Sequence, residues 1–84
     1  MLNLIESYVN TLSESNMNMF LKNNNIYLSK EESSFLLKYI KENWYDIIYK
    51  PDTLIYIKEK IEDNNYKKLY ELYIKYKNKY FNYL

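Results

Sequence analysis

Leu2, Ile5, Val9 and Leu12 recur at the three-and-four spacing of one helical face, with Glu6, Asn10 and Thr11 on the other side, which predicts a first helix. Ser13 then reads as an N-cap whose hydroxyl accepts a free amide of the following turn. Met17, Phe20 and Leu21 supply the apolar stripe of a short second helix. The run Asn23, Asn24, Asn25 is expected to end it. The chain has no glycine, and after glycine asparagine best tolerates the left-handed backbone of a helix stop.

Ser29-Lys30-Glu31-Glu32 is the clearest local signal, a serine N-cap followed three residues later by glutamate with acidic residues in the first turn, and it predicts the start of a third helix. Leu36, Leu37, Ile40 and Trp44 form its inner stripe, with Phe35 and Tyr39 on the flanks. The pattern fades from Asn43 to Tyr49. The segment 44–49 is rich in strand formers, yet nothing else in the chain offers it a pairing strand, so it reads as a packed connector.

Pro51 and Asp52 suit the first turn of a fourth helix, whose stripe of Leu54, Ile57 and Ile61 runs to about Glu62. Asp63, Asn64 and Asn65 read as a turn. A last helix, expected to be the longest element, runs from about Tyr66 towards Tyr83. Tyr66, Leu69, Tyr70, Tyr73, Tyr76 and Tyr80 centre a broad apolar face, with Lys68, Glu71, Lys75 and Lys79 opposite. Lys77 falls inside that face and is expected to snorkel, stem along the apolar surface and ammonium in water. The fold class expected is all-α: one domain over residues 1–84, a compact bundle of four to five short helices with a long C-terminal helix as its central or longest strut. Leu36, Ile40, Ile57, Leu69 and Tyr73 are expected in its core.

Composition narrows the chemistry more than it suggests any. A chain of 84 residues supports one core, with a net stability of roughly 4 to 12 kcal/mol. The absence of cysteine removes disulfides, thiolate metal sites and cysteine nucleophiles. The absence of histidine removes the commonest metal ligand and the usual general base, and the absence of glycine removes Gly-rich phosphate loops. No enzyme activity and no cofactor is therefore expected. Alanine, arginine and glutamine are missing too, while Lys, Asn, Ile, Tyr and Leu dominate, the bias of an A+T-rich genome. A bacterial source is expected on that ground.

No stretch approaches the roughly 18 to 20 apolar residues of a membrane span. The segment from Met1 to Glu6 carries neither a charged region nor a cleavage site, so a cytoplasmic location without membrane association is expected. Net charge is +1, but residues 66–84 carry five lysines against one glutamate, so basic character is concentrated in the last helix.

With the elements placed, residues 13–49 resemble in pattern the small uncharacterised YqfT-like proteins of low-GC Gram-positive bacteria. The matching features are the Ser13 cap, the helix through Met17, Phe20 and Leu21, the stretch Asn25-Ile26-Tyr27-Leu28-Ser29, and Glu31-Glu32. Asn25 stands where that family carries glycine, and Lys41-Glu42-Asn43 replaces a more basic, glycine-containing turn. The resemblance implies a small helical fold and transfers no functional residues.

Candidate sites are few. Glu31 with Glu32, or Glu62 with Asp63, are the acidic pairs, but helix neighbours point apart, and capping explains the first pair better than a metal does. Glu59, Glu62 and Asp63 are read at a helix C-terminus, an unfavourable place for negative charge. Helices two and three form a helix-turn-helix outline, yet Glu31, Glu32, Lys38, Lys41 and Glu42 give the third helix a mixed charge that suits a phosphate-lined groove poorly. Lys68, Lys75 and Lys79, with tyrosines interleaved, lie on one face at spacings of seven and four and are the candidate nucleic-acid contacts. They are few enough that binding would be weak and salt-sensitive. Trp44, Tyr45, Tyr49 and Tyr56 are an aromatic surplus around the connector, the residue types that anchor protein interfaces. Protein partnership or self-association through these four is the leading expectation, nucleic acid the alternative; no small-molecule substrate is evident.

Overall fold

The computed structural model describes residues 2–80, without the side chains of Leu2, Pro51 and Tyr80, and within that range it contains helices and no strand. The order is α1 (Leu2–Thr11), α2 (Glu14–Asn23), α3 (Lys30–Tyr49), a 3-10 helix (Pro51–Ile57) and α4 (Asp63–Tyr80). The expected all-α bundle is the observed one. Its radius of gyration is 12.2 Å, close to the about 12 Å of a compact chain of this length.

Local caps set the boundaries. Ser13 accepts the Asn16 amide at 3.0 Å and starts α2. That helix stops in a Schellman arrangement: the Ile26 amide reaches back to the Leu21 carbonyl at 2.8 Å, the Asn25 amide reaches Lys22 at 3.0 Å, and Asn25 sits at φ 63°. Asn25 thus fills the left-handed position that glycine usually takes, and Ile26 and Leu21 bury together as the motif's apolar pair. Ser29 and Glu32 form the complete capping box of α3.

Three elements depart from expectation. Residues 44–49 are helical, not a connector: α3 continues to Tyr49 through a kink at Asn43 (φ −130°, ψ 17°), where the Asn43 side-chain amide donates to the Tyr39 carbonyl at 3.0 Å. Burial of Ile48 and partial burial of Ile47 outweigh the strand preference of those residues. The fourth helix is of the 3-10 type and ends at Ile57. Leu54 and Ile57, three apart, share its inner face as that period requires, and Ile61 joins them from the following turn. The last helix starts at Asp63, so Asp63, Asn64 and Asn65 are its first turn and not a loop. Tyr83, its expected end, lies outside the described residues.

The central strut is α3, not the C-terminal helix. It carries 20 residues against 18 described in α4, and α1, α2 and the 3-10 helix all pack on it. The core is Met17, Leu21, Ile26, Leu36, Leu54, Ile57 and Ile61, with Ile40, Leu69 and Tyr73 half-buried against it. Polar ties fasten α4 to the rest. Asn65 donates to the Tyr27 carbonyl at 3.0 Å, Lys68 to the Asn25 carbonyl at 3.1 Å, and Tyr73 to the Ile47 carbonyl at 2.6 Å.

Candidate functional site

The outer part of α3, beyond the Asn43 kink, carries three of the four expected interface aromatics. Trp44 and Tyr45 meet edge to face with ring centroids 5.9 Å apart, and Tyr45 and Tyr49, one helical turn apart, lie 4.7 Å from each other. Trp44 is half-buried, whereas Tyr45 is 52 % and Tyr49 39 % exposed. Tyr56 stands on the neighbouring 3-10 helix, 72 % exposed, beside Ile55 at 58 %. Sequence periodicity had no means of assigning Ile55 to the surface, because an α reading and a 3-10 reading rotate it differently. Tyr39 is partly buried against the core. Its hydroxyl donates to the Thr53 carbonyl at 2.7 Å, and burial first, then the nearby Tyr56 and Asp46, raise its pKa above the ordinary phenol value. Large apolar side chains also stand exposed on α1, at Leu4 and Tyr8.

The lysine face is less available than its spacing suggested. Lys68 is half-buried with its ammonium bonded to the Asn25 carbonyl, so it is tied to the turn that follows α2. Lys75 sits over the Tyr76 ring at 5.9 Å, and the half-buried Lys77 has its ammonium 5.9 Å from the Tyr73 ring centroid.

The acidic residues have structural work. Glu32 accepts the Ser29 amide at 2.8 Å through one carboxylate oxygen and the Glu62 amide at 2.7 Å through the other, with Asn65 at 3.4 Å. Burial works to raise its pKa, and the bonds from Ser29, Glu62 and Asn65 outweigh that and hold it below the ordinary glutamate value. Glu62 and Asp63 sit at the start of α4, not at a helix end. The Glu62 carboxylate accepts the Asn64 amide at 3.1 Å, so the apparent conflict with the helix dipole is a favourable placement instead. Among the described residues no three acidic side chains gather where a metal ion would sit.

One apolar recess was not foreseen. Between α4 and the α1–α2–α3 layer lies an apolar cleft of about 440 Å³, walled by Val9, Met17, Leu36, Ile40, Leu69 and Tyr73. Its rim carries Tyr8, Phe20 and Tyr70, all of them partly in solvent. A volume of this size falls within the roughly 300 to 1,000 Å³ of small-molecule sites. Among the described residues no buried side-chain polar atom lacks a hydrogen-bond partner. No family model, curated protein or solved structure matches this chain. Among the described residues no helix is long and apolar enough to cross a membrane.

Proposed function

We propose that this chain is a cytoplasmic, non-catalytic protein-interaction module or homo-oligomer, working through the aromatic surface of Trp44, Tyr45, Tyr49 and Tyr56. The observation that carries the reading is the Trp44–Tyr45–Tyr49 run, whose rings contact one another in succession along a helix with Tyr45 and Tyr49 exposed. Rigid exposed aromatics offer contact area at little entropic cost, the property that concentrates binding energy in such residues. The similarity of residues 13–49 to the YqfT-like pattern accords with a small helical protein of this kind.

Light scattering across a concentration series tests it. A dimer or larger assembly of the 10.5 kDa chain that Tyr45→Lys or Tyr49→Glu returns to monomer, with helicity intact, supports the reading. So does a captured partner lost on the same substitutions. A constant monomer mass together with a partner list that neither substitution changes overturns it.

The alternative, weak nucleic-acid binding through Lys68, Lys75 and Lys79, is less well supported because Lys68 is occupied within the fold. A protein that shifts neither DNA nor RNA at low salt removes that alternative.

A further inference from the structure

We propose that α4 is a gate that opens as a unit, swinging from a pivot at Ile61 and Glu62 while α2, α3 and the 3-10 helix stay folded. Burial divides the chain at that pivot. Among the described residues the fully buried apolar side chains run from Val9 to Ile61, and none belongs to α4. The buried residue that α4 does contain is polar, Asn65. Leu69, Leu72 and Tyr73, which α4 turns towards the core, are half-buried, and the cleft of about 440 Å³ lies beside all three. A helix separated from its neighbours by such a gap forfeits much of the close packing that would hold it down.

The pivot itself is fixed. Ile61 is 3 % exposed in the core, and the Glu62 amide donates to the Glu32 carboxylate at 2.7 Å. Beyond the pivot, polar ties latch α4 onto main-chain carbonyls: Asn65 onto Tyr27, Lys68 onto Asn25 and Tyr73 onto Ile47. Tyr76 also meets the Phe20 ring edge to face at 5.6 Å. The carbonyls lie in the turn after α2 and in the last turn of α3, where water can take over each bond when α4 leaves, so their release has a modest net cost. Opening the core instead exposes Ile26 and Ile57, each 1 % exposed, and loses their burial outright. Release of α4 therefore precedes opening of the core, and it uncovers the cleft wall and the inner face of α4 together.

Native-state hydrogen exchange of the whole chain, followed amide by amide by NMR at several sub-denaturing urea concentrations, tests this. The amides from Leu69 to Lys77 should share one urea-dependent opening and, corrected for intrinsic rates, exchange at least about ten-fold faster than those of Leu21 and Leu36. Ile26→Val and Ile48→Val shorten buried side chains that do not wall the cleft. Each should speed the Leu21 and Leu36 amides about five-fold and leave the α4 amides unchanged, because both sites stay packed when α4 is open. Asn65→Ala and Tyr73→Phe remove latches at separate points along α4, the first without lowering helix propensity. Each should speed every α4 amide by about five-fold or more, and the core amides with them, since the closed form is the state it weakens. If the two isoleucine variants speed α4 and core amides alike, the chain opens as one unit and the proposal is overturned. If exchange in α4 only grades towards Tyr80, with the far amides indifferent to Asn65→Ala, the helix frays from its end and the proposal is overturned equally. These readouts are independent of the Tyr45–Tyr49 surface, so failure here leaves that reading standing.

Discussion

The hydroxyl of Tyr73 donates a 2.6 Å hydrogen bond to the main-chain carbonyl of Ile47, which ties α4 to α3 beyond its kink. That carbonyl needs an outside donor for a local reason. It lies in the last turn of α3, and the residue four further on is Pro51, which has no amide hydrogen to offer. Tyr73→Phe keeps the ring and removes the donor. Urea denaturation should show a loss of about 1 to 2 kcal/mol, the cost of a part-buried carbonyl left unsatisfied.

The two bonded phenols also predict an alkaline limit. Burial foremost raises the pKa of both Tyr39 and Tyr73, with Tyr56 and Asp46 adding to the first and Tyr70 to the second. Because folding raises these values, the protonated phenols contribute their full stability below the unfolded pKa, and it is lost as pH rises through the folded values. Phenolate absorbance should show two tyrosines ionising after the rest, together with the loss of helicity. Tyr39→Phe with Tyr73→Phe should abolish that late step.

Glu32 predicts the acid limit. Folding lowers its pKa, so the contribution of the carboxylate is complete above the unfolded value and disappears as pH falls through the folded one. Glu32→Gln retains size but cannot present two acceptor oxygens to the Ser29 and Glu62 amides. It should cost about 1 to 2 kcal/mol at neutral pH, and the stabilities of variant and parent should converge in acid.

Asn25 at φ 63° predicts an asymmetry between two small substitutions. Asn25→Gly should change stability by less than about 0.5 kcal/mol, since glycine takes this conformation freely. Asn25→Ala should lower it by about 1 kcal/mol, the cost of a Cβ in the left-handed region. Thermal unfolding of the pair checks this without reference to any ligand.

Ile57 is 1 % exposed at the centre of the core, where the 3-10 helix meets α3. Ile57→Ala should cost roughly 2 to 5 kcal/mol, a large part of what an 84-residue fold possesses. Chemical denaturation would show a correspondingly lower midpoint, and a cost below about 1 kcal/mol would mean the core closes around the gap.

What was legible in the sequence is what local chemistry dictates. Ser13, Asn25 and the Ser29–Glu32 box act within a few residues of themselves, so their spacing announces them. The elements misread are those decided from a distance. Trp44 to Tyr49 prefer extended backbone by propensity and are helical because Ile47 and Ile48 pack inward. The start of α4 lies three residues before its apolar stripe because Glu62 caps it, and Asn65, read as a turn residue, is buried and bonded to Tyr27. Lys68 looked like a free charge because its acceptor, Asn25, lies 43 residues away. The exposed aromatic run was visible as a surplus of residue types. The cleft was not, since periodicity gives the face that a helix buries but not the gap between two buried faces.

The bend at Asn43 separates two properties that a straight helix would couple. The first arm of α3 is held by its capping box and by the core around Leu36, while the second arm carries Trp44, Tyr45 and Tyr49. At the bend, the Asn43 side-chain amide is bonded to the Tyr39 carbonyl. Substitution at this one position would re-aim the aromatic run without altering its composition or the packing beneath the first arm. In such a layout, which partners the surface meets can drift by orientation alone, independently of both affinity chemistry and fold stability.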